Sequence, residues 1–429
     1  NRRSYEEGVA IGALERYASE KGALPSLRHL PDTQKRVAVI GAGPAGLTAA
    51  FYLRLLGHHV EVFDAEPVLG GVPRISIPDF RLPKNIPDAE VGLILSLGIV
   101  AHTNTRVGKE ISIDALRGNF DVCLITTGNQ IQRMLAVPGM ESAVSAMEFL
   151  RTSNMKRESL AGKRVVILGG GGVAFDCAFT ARRLGAASVS LVFPESTDNI
   201  RTTADEIRQA HDEGIIMYPS HLTTSLSEGN VHARRLSSFT FDEKGELIAE
   251  FEDDDIHDIP GDIVICASGL KPDIDFLDGL NPKRTPRGHL AVNDDMMTSV
   301  SALFAAGDIV TGPVTVTSAV GSGRKAAMGI HAFLSGSNAP VELTLDQDDD
   351  GTFFVGIHKA KVYDMTRHVV EFSEIRNPDY HEHGARTIQR VNQASLLPFE
   401  EILEGFNDAE AAAEAGRCMH CGHCIDCGN

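Results

Sequence analysis

The chain has 429 residues, a length typical of two or three domains. Hydrophobic residues make up 43% and charged residues 23%, which is an ordinary composition for a globular protein with a sizeable core. The 40 basic and 58 acidic residues give a net charge of −18. Because nucleic-acid binding needs a basic surface, this balance argues against nucleic acid as a partner.

Residues 1–34 combine an amphipathic helical pattern with a linker that contains prolines. Val9, Ile11, Leu14 and Tyr17 are apolar among charged neighbours, as in a helix that covers a core with one face. The first residues carry charges and lack the apolar core of a signal peptide, which predicts a cytoplasmic protein.

The uncharged stretch from Val37 to Leu53 is close in length to a short membrane span. It contains Gly41, Gly43, Pro44 and Gly46, however, which favour a strand, a tight turn and a buried helix. We therefore expect no membrane span.

Strand, glycine turn and helix alternate twice along the chain, which is typical of an α/β fold with parallel sheets. A short meander is expected between the second of these units and the following strand. The predicted elements are, in chain order, a strand at 35–40, a helix at 44–57, strands at 59–64 and 164–168, a helix at 173–185, strands at 188–193, 262–267 and 303–306, and helices around 314–334 and 408–416.

The first glycine turn, from Gly41 to Gly46, has the Gly-x-Gly-x-x-Gly spacing of a dinucleotide-binding loop. In that loop the first glycine permits the turn, the second lets a pyrophosphate approach the backbone, and the third lets helix and strand pack closely. Asp64 ends the second strand, where an acid accepts a hydrogen bond from a ribose hydroxyl. The turn and the acid together predict a dinucleotide site.

The second glycine turn, from Gly169 to Ala174, is a Gly-x-Gly-x-x-Ala variant in the same context. Two such sites predict two cofactors that exchange electrons, and a flavin with a nicotinamide is the natural pair because hydride passes directly between them. Glu195 follows the next strand, where a carboxylate accepts from both ribose hydroxyls and repels a 2′-phosphate. NAD(H) is therefore expected in preference to NADP(H), with a solvated loop charge at Glu195 as the alternative.

A third motif, Ala306-Gly307-Asp308, resembles the segment by which flavoproteins with two dinucleotide-binding domains hold the ribityl chain of FAD through an aspartate. The stretch from Gly312 to Arg324 resembles the flavin-edge helix of the same superfamily. Thr127-Gly128 and Ser268-Gly269 resemble the turns at which the chain crosses between the two domains. The resemblance implies FAD at the first glycine turn and the nicotinamide at the second.

Two further segments indicate a particular family within this superfamily. The stretch from Ile77 to Lys84 and the lead-in from Ala10 to Arg16 are similar to segments of the glutamate synthase small-subunit family. In that family a cysteine-rich iron–sulfur domain precedes the lead-in, whereas the cysteine cluster of this chain lies near its other end.

The resemblance implies two Rossmann-like domains, with the NAD(P) domain inserted in the FAD domain. The expected segments are a helical lead-in at 1–35, the FAD domain at 36–138 and 275–337, the NAD(P) domain at 139–274, a C-terminal extension at 338–415 and an iron–sulfur cysteine tail at 416–429. The residues expected at FAD are Gly41, Gly43, Pro44, Ala45, Gly46, Asp64, Gly70, Gly71, Arg81, Thr127, Gly128, Gly307, Asp308, Thr315, Val316 and Thr317. Those expected at NAD are Gly169, Gly171, Gly172, Val173, Ala174, Glu195, Ser268 and Gly269.

The cysteines outside the C-terminal cluster argue against disulfide reduction. Dithiol reductases of this superfamily carry a redox-active cysteine pair beside the flavin, either after the Gly-Gly of the FAD domain or before an aspartate of the nicotinamide domain. Here Val72 follows Gly70-Gly71, and Asp176 has no Cys-x-x-Cys before it. The scattered cysteines are expected to be buried thiols: Cys123, Cys177 and Cys266.

Four cysteines near the C-terminus repeat at every third position: Cys418, Cys421, Cys424 and Cys427. Such steps wrap around one face of an iron–sulfur cubane, as in bacterial ferredoxins, which predicts a 4Fe–4S cluster. A zinc site, which usually joins two pairs across a longer loop, and redox-inert thiols are the alternatives. His420 and His423 are expected to be exposed spacers, and His381 and His383 to lie in a polar loop.

We expect an FAD-containing NAD(P)H oxidoreductase that serves as an electron-transfer subunit of a larger complex. Hydride exchange needs no side-chain acid or base, so no catalytic residue is expected. The resemblance implies a hetero-oligomer with iron–sulfur subunits, or with a molybdenum or tungsten subunit such as that of an NAD-linked aldehyde or formate oxidoreductase. The alternatives are a free-standing NAD(P)H:ferredoxin oxidoreductase or transhydrogenase component, a glutamate synthase-like small subunit and a non-enzymatic flavin-bound scaffold.

Overall fold

Two parallel five-stranded sheets form the centre of the fold. The structure is a computed structural model that describes residues 7–22, 26–200, 202–227, 229–241, 247–336, 341–347, 352–359, 386–387, 389 and 399–418. Within these residues the two large sheets are accompanied by two three-stranded sheets and one two-stranded sheet. The α/β class predicted from the sequence is confirmed.

The helices of the described residues lie mainly between successive parallel strands. In chain order they are α1 Ile11–Lys21, α2 Pro44–Leu55, α3 Val72–Ile75, α4 Asn85–Leu95, α5 Ile113–Asn119, α6 Ala146–Lys156, α7 Gly172–Arg183, α8 Ala204–Asp212, α9 Asp308–Thr311, α10 Val316–Ser335 and α11 Asp408–Ala415.

All six strands that the sequence predicted singly are present, and the structure has others that were not predicted. They are β1 Leu27–Arg28, β2 Arg36–Ile40, β3 His59–Phe63, β4 Val100–His102, β5 Val122–Ile125, β6 Ile131–Gln132, β7 Val144–Ser145, β8 Arg164–Leu168, β9 Ser188–Val192, β10 Ile216–Tyr218, β11 His221–Ser227, β12 Asn230–Phe241, β13 Leu247–Pro260, β14 Ile263–Cys266, β15 Leu270–Lys271, β16 Leu303–Ala305, β17 Val341–Gln347 and β18 Phe353–Lys359.

The first large sheet has the strand order β16-β5-β2-β3-β4, with every neighbouring pair parallel. Its central strand β2 is apolar and buried except at its first residue, as a strand covered on both faces must be. The strand β16 joins this sheet from more than 170 residues after β5, beyond the whole second sheet. The chain therefore leaves the first sheet, builds the second, and returns.

The second large sheet has the order β10-β9-β8-β14-β7 and is also parallel throughout. The predicted meander is confirmed as the antiparallel sheet β11-β12-β13, which packs on this second sheet through Leu226, Val231 and Ile259. The two-stranded sheet β6-β15 lies where the chain passes between the large sheets.

The segment from Ile77 to Lys84 follows β3 in the chain but packs into the core of the second sheet. Phe80 is fully buried there with Phe175 and Phe179 of α7. The guanidinium of Arg183 lies 4.2 Å from the centre of the Phe80 ring and forms a bidentate ion pair with Glu213 at 2.9 Å. Both charged side chains are over 90% buried, so this pair sits inside the core of the second sheet.

The helices α1 and α11 pack on each other although they lie at opposite ends of the described chain. The Glu414 carboxylate accepts a hydrogen bond from the backbone N–H of Ala10 at 2.7 Å and pairs with Arg417 at 2.7 Å. Arg417 in turn donates to the carbonyl oxygen of Glu7 at 2.6 Å. The residues just before the cysteine tail are thus fixed to the N-terminal helix.

The uncharged stretch from Val37 to Leu53 folds as β2, a turn and α2, as predicted. Across the described residues, no helix has both the length and the apolar character needed to cross a bilayer. The division into domains with the bounds given above stays a prediction.

Replacing Arg183 by leucine would leave the buried Glu213 carboxylate without its cation. Removing one partner of a buried ion pair costs about 3–5 kcal/mol of unfolding free energy. We therefore expect Arg183→Leu to lower the urea midpoint of unfolding markedly, as followed by circular dichroism. The control is Arg208→Leu, which removes an exposed pair with Asp205 worth about 0–1 kcal/mol. Equal midpoints for the two variants would show that the buried pair does not stabilise the protein.

Candidate functional site

The turn between β2 and α2 brings a strand end and a helix start so close together that two of its glycines cannot be replaced. Gly41 has a φ of +102°, and a Cβ there would lie 2.5 Å from the carbonyl oxygen of Thr126. A Cβ at Gly46 would lie 2.0 Å from the carbonyl oxygen of Gly41. Both glycines are therefore required by the packing of the turn itself.

Gly43 differs from these two glycines because it faces open space. Its φ of −76° and ψ of −177° suit any residue, and the nearest atom to an added Cβ is the Gly71 Cα at 3.9 Å. Gly43 lines a cavity of about 820 Å³. A backbone exposed to a cavity at the start of a helix is the arrangement that lets a pyrophosphate approach.

Asp64 follows β3 and braces the glycine turn. Its carboxylate accepts hydrogen bonds from the backbone N–H groups of Ala42 at 2.6 Å and Glu66 at 2.8 Å. Burial raises the pKa of Asp64, and these two N–H donors oppose that rise. The carboxylate also lines the cavity, within reach of whatever fills it.

The chain that returns to the first sheet also lines the cavity. Gly307 has a φ of +79°, and a Cβ there would lie 2.9 Å from the Ala45 Cβ. Asp308, at the start of α9, lines the cavity, and burial raises its pKa above the ordinary value for a carboxyl. The residues that follow β16 are therefore in contact with the first glycine turn.

The cavity gathers most of the residues predicted at FAD. Twelve of them line it: Gly41, Gly43, Pro44, Ala45, Asp64, Gly71, Thr127, Gly128, Gly307, Asp308, Thr315 and Val316. Gly46 supports the turn as described, and Gly70 donates its N–H to the carbonyl oxygen of Ala42 at 2.9 Å. Thr317 is exposed in the first turn of α10 and is not among the lining residues.

Arg81 is not among the residues that line the cavity, but it contacts one that is, Asp176. Its guanidinium pairs with Asp176 of α7 and, at 2.6 Å, with Glu206 of α8. Burial raises the pKa of Asp176 to about 6, against the lowering effect of Arg81. The structure therefore gives Arg81 contacts that join two halves of the fold.

The second glycine turn repeats the geometry of the first. Gly169 has a φ of +142°, and a Cβ there would lie 2.5 Å from the carbonyl oxygen of Ala267. Gly171 has a φ of −86° and a ψ of 172°, and neither it nor Gly172 has an atom within 4 Å of an added Cβ. No side chain caps the N-terminus of α7, so its first N–H groups face open space.

Two residues of α7, Val173 and Asp176, line the same cavity as the first glycine turn. Ala174 is buried in the core of the second sheet. Ser268 donates its hydroxyl to the carbonyl oxygen of Arg133, and the carbonyl oxygen of Gly269 accepts from the Arg133 N–H at 2.9 Å. These hydrogen bonds join the crossing at Ser268-Gly269 to the segment that follows the crossing at Thr127-Gly128. The cavity is therefore shared by the starts of α2 and α7.

Glu195 lies three residues beyond β9, beside the end of β10. Its carbonyl oxygen accepts from the Ser220 N–H at 2.9 Å. The carboxylate oxygen Oε2 is buried and has no hydrogen-bond partner among the described residues. A buried acceptor without a donor is costly unless a bound group supplies one. Arg201, the nearest downstream arginine, lies outside the described residues.

Sequence reasoning missed several groups that line the cavity. Arg151 of α6 pairs with Glu66 at 2.7 Å, and Arg106 pairs with Asp273. Each pair joins residues far apart in the chain, so no local motif signals it. The two arginines place positive charge at a cavity that otherwise carries mainly carboxylates.

The cysteines divide into buried and C-terminal groups. Cys123, Cys177 and Cys266 are buried and form no disulfide, as expected. Burial raises the pKa of the Cys123 thiol to about 12 and that of Cys177 well above its ordinary value, which suppresses the reactive thiolate. Cys418 is half-buried directly after Arg417. The other predicted cluster ligands and the four histidines named above lie outside the described residues: Cys421, Cys424, Cys427, His381, His383, His420 and His423.

Curated relatives match most of this chain. The beta subunit of the NADP(+)-dependent formate dehydrogenase of Moorella thermoacetica is 35% identical over 399 residues, which are 90% of this chain and 54% of that protein. The glutamate synthase (NADPH) small chain of Azospirillum brasilense is 34% identical over 364 residues, which are 79% of this chain and 76% of that protein. The chain thus spans about half the length of the formate dehydrogenase subunit that it matches.

Solved structures share the fold at low sequence identity. The FprA protein of Mycobacterium tuberculosis in complex with NADPH has a TM-score of 0.60 and 16% identity, over 71% of this chain and 85% of that chain. The thioredoxin reductase of T. acidophilum has a TM-score of 0.55 and 22% identity, over 70% of this chain and 99% of that chain.

A family model described as pyridine nucleotide-disulphide oxidoreductase matches residues 35–323, from β2 into α10. This match and the glutamate synthase relatives confirm the resemblance drawn from the sequence. The chain belongs to the pyridine nucleotide-disulphide oxidoreductase family.

Proposed function

We propose that this chain is the flavin subunit of a complex, in which electrons pass between NAD(P)H and iron–sulfur clusters through FAD. The observation that carries the proposal is the shared cavity, which the starts of both glycine-turn helices line. Two dinucleotides bound on these turns would meet inside one enclosure. That proximity is what direct hydride exchange requires.

The first turn has the features that FAD needs. Gly43 leaves the backbone open to the cavity, and α2 presents its uncapped N-terminus to a pyrophosphate. Asp64 would supply a carboxylate for the ribose, and Asp308, on the returning chain, would supply a second carboxylate for the ribityl hydroxyls. We assign FAD to these residues.

The second turn fits a nicotinamide dinucleotide. Gly171 and Gly172 leave room for a pyrophosphate at the start of α7, and the orphaned Glu195 carboxylate oxygen is an acceptor for ribose hydroxyls. Val173 and Asp176 follow this turn on α7 and line the shared cavity. The nicotinamide would thus approach FAD from the side of α7.

FAD held at the first glycine turn would supply hydride exchange with a nicotinamide and single-electron exchange with iron–sulfur clusters. The residues of this chain hold both dinucleotides, exclude water and fix the distance between them. Since Cys123, Cys177 and Cys266 are buried with no partner cysteine, the described residues offer no dithiol to accept the electrons. The tail cysteines, proposed to hold a 4Fe–4S cluster, are the acceptor that remains.

Relatives named as subunits support a role within a complex. The formate dehydrogenase relative is a beta subunit, and the glutamate synthase relative is a small chain. We infer an iron–sulfur partner, with a molybdenum or tungsten subunit of the formate or aldehyde oxidoreductase type as the favoured further subunit, and electrons would pass between that subunit and the nicotinamide through FAD. A free-standing NAD(P)H:ferredoxin oxidoreductase is the second candidate, and the native mass of the purified protein separates the two.

The choice of nicotinamide is open to opposing arguments. The relatives named above are NADP-linked by name, which favours NADP(H). The orphaned carboxylate of Glu195 favours NAD(H), because a 2′-phosphate dianion beside it would be repelled. We propose NAD(H) on the strength of this residue, since it belongs to the chain itself.

Replacing either Gly43 or Gly171 by valine tests the assignment of FAD to the first turn and of the nicotinamide to the second. Both have backbone angles that valine adopts, and neither has a neighbouring atom closer than 3.9 Å to an added Cβ. Gly43→Val should therefore fold but lose most of its FAD, measured by absorbance after purification. Gly171→Val should keep FAD and lose about tenfold or more in kcat/KM for the reduced nicotinamide. The reverse pattern would mean that the two cofactors had been assigned to the wrong turns.

Replacing Cys421 by serine tests the cluster. Anaerobically prepared wild-type protein should contain iron and sulfide, and Cys421→Ser should lose both because serine is a poor cluster ligand. The variant should still let the reduced nicotinamide bleach the flavin, since the glycine turns are untouched. His423→Asn is the matched control and should keep its iron. Stoichiometric zinc without iron in the wild-type protein would contradict the proposal.

Replacing Glu195 by arginine tests the choice of nicotinamide. The wild-type protein should have the higher kcat/KM with NADH, and Glu195→Arg should shift the ratio towards NADPH by about tenfold or more. Asp198→Arg, a change of the same charge at an exposed position of the same loop, should leave the ratio unchanged. A wild-type preference for NADPH would refute the role given to Glu195.

A further inference from the structure

Three potential metal ligands lie together on the antiparallel sheet β11-β12-β13, apart from the shared cavity. They are His221, Asp255 and His257. None of them lines the cavity of the two glycine turns. They also form no part of the cysteine tail.

The strand register places the three side chains on one face of the sheet. His221 of β11 pairs with Arg235 of β12, and His257 of β13 pairs with Ala233 of the same strand. Residues two apart on a strand point to the same face, so His221 and His257 share a face across β12. Asp255 precedes His257 by two residues and shares that face as well.

The ligand atoms are close enough to surround one ion. One nitrogen of each imidazole and one carboxylate oxygen all lie within 4.8 Å of one another. The His257 Nε2 lies 2.8 Å from the Asp255 Oδ1, and the ring centres of the two histidines are 4.8 Å apart at 75°. A small side-chain movement that separates His257 Nε2 slightly from Asp255 Oδ1 and brings the His221 nitrogen nearer would place each of the three atoms about 2.0–2.2 Å from one zinc ion.

His221 is already in the state that a metal ligand needs. Its Nδ1 lies 2.6 Å from the carbonyl oxygen of Pro219, and a carbonyl only accepts, so Nδ1 carries the proton. Nε2 is then left with its lone pair, and this buried atom has no hydrogen-bond partner among the described residues. A histidine that donates one ring N–H to a backbone carbonyl and offers the other nitrogen is the usual form of a zinc ligand.

We propose that His221, Asp255 and His257 bind a zinc ion that fastens β11 to β13. Two imidazoles and a carboxylate form a donor set that suits zinc. Arg235 lies 3.7 Å from the other carboxylate oxygen of Asp255, which leaves Oδ1 for the ion. Water occupies the remaining position, because Asp255 and His257 are partly exposed.

The ion also stabilises the backbone beside the loop that follows β9. Ser220 immediately precedes His221 and donates its N–H to the carbonyl oxygen of Glu195. Holding His221 in place therefore holds the loop that carries Glu195. The proposal does not depend on which cofactor this loop meets.

The test compares zinc content among variants in which the cysteine tail is unchanged. Asp255→Asn and His257→Gln each remove one ligand from a partly exposed position. His232→Gln is the matched control, because His232 lies on the same sheet and pairs with Asp258 at 2.6 Å, while its other ring nitrogen contacts Ser227 at 2.6 Å. The proteins are dialysed to equilibrium against zinc sulfate with a competing chelator, and bound metal is measured by atomic emission.

The wild-type protein and His232→Gln should each bind about one zinc ion per chain more than Asp255→Asn and His257→Gln. Zinc should also raise the Tm of the first two proteins more than that of the other two. Equal zinc content in all four proteins would overturn the proposal.

X-ray absorption of the zinc-loaded wild-type protein gives a result that does not rely on any variant. Nitrogen and oxygen ligands with imidazole scattering should accompany any contribution from the cysteine tail. A shell of sulfur ligands alone would refute the site, whatever the variants do to folding.

Discussion

The close approach of each glycine turn to a neighbouring strand end is the constraint on which the rest of the structure depends. Gly41 lies against the backbone of Thr126, and Gly169 lies against that of Ala267, each at a distance that excludes a Cβ. In both cases the chain crosses towards the other half of the fold directly after the residue that is touched, at Thr127 and at Ser268. The same contact therefore forms each turn and sets where the chain leaves each sheet.

Local patterns were sufficient to predict both turns, six of the strands and the meander. Each depends on residues adjacent in the chain: alternating apolar runs, glycines at fixed spacing and an acid at a strand end. The ion pairs of Arg81 could not be predicted in this way. Its guanidinium lies against Asp176 and Glu206, which are 95 and 125 residues further along the chain.

The group of His221, Asp255 and His257 could not be predicted from local patterns either. His221 is more than 30 residues from Asp255 and His257, and the register of β12 with β13 shifts twice along the sheet. A shift of one residue moves a side chain to the other face, so only the folded sheet reveals that these ligands converge. The docking of α11 on α1 is likewise invisible to a local pattern, because it joins the two ends of the described chain.

The ion pairs of Arg81 have a mechanical consequence. A rotation of one parallel sheet relative to the other would strain the contact of this guanidinium with the mostly buried Asp176, because Phe80 and Arg81 are held on the second sheet while β3, which precedes them, belongs to the first. A buried carboxylate without a cation must either pick up a proton or take in water, and both responses cost free energy. The ion pair therefore opposes such a rotation, and dissolved salt weakens it less than a fully exposed pair because Arg81 and Asp176 are 28% and 14% exposed. A contact of this kind limits how far the gap between the two glycine turns can change.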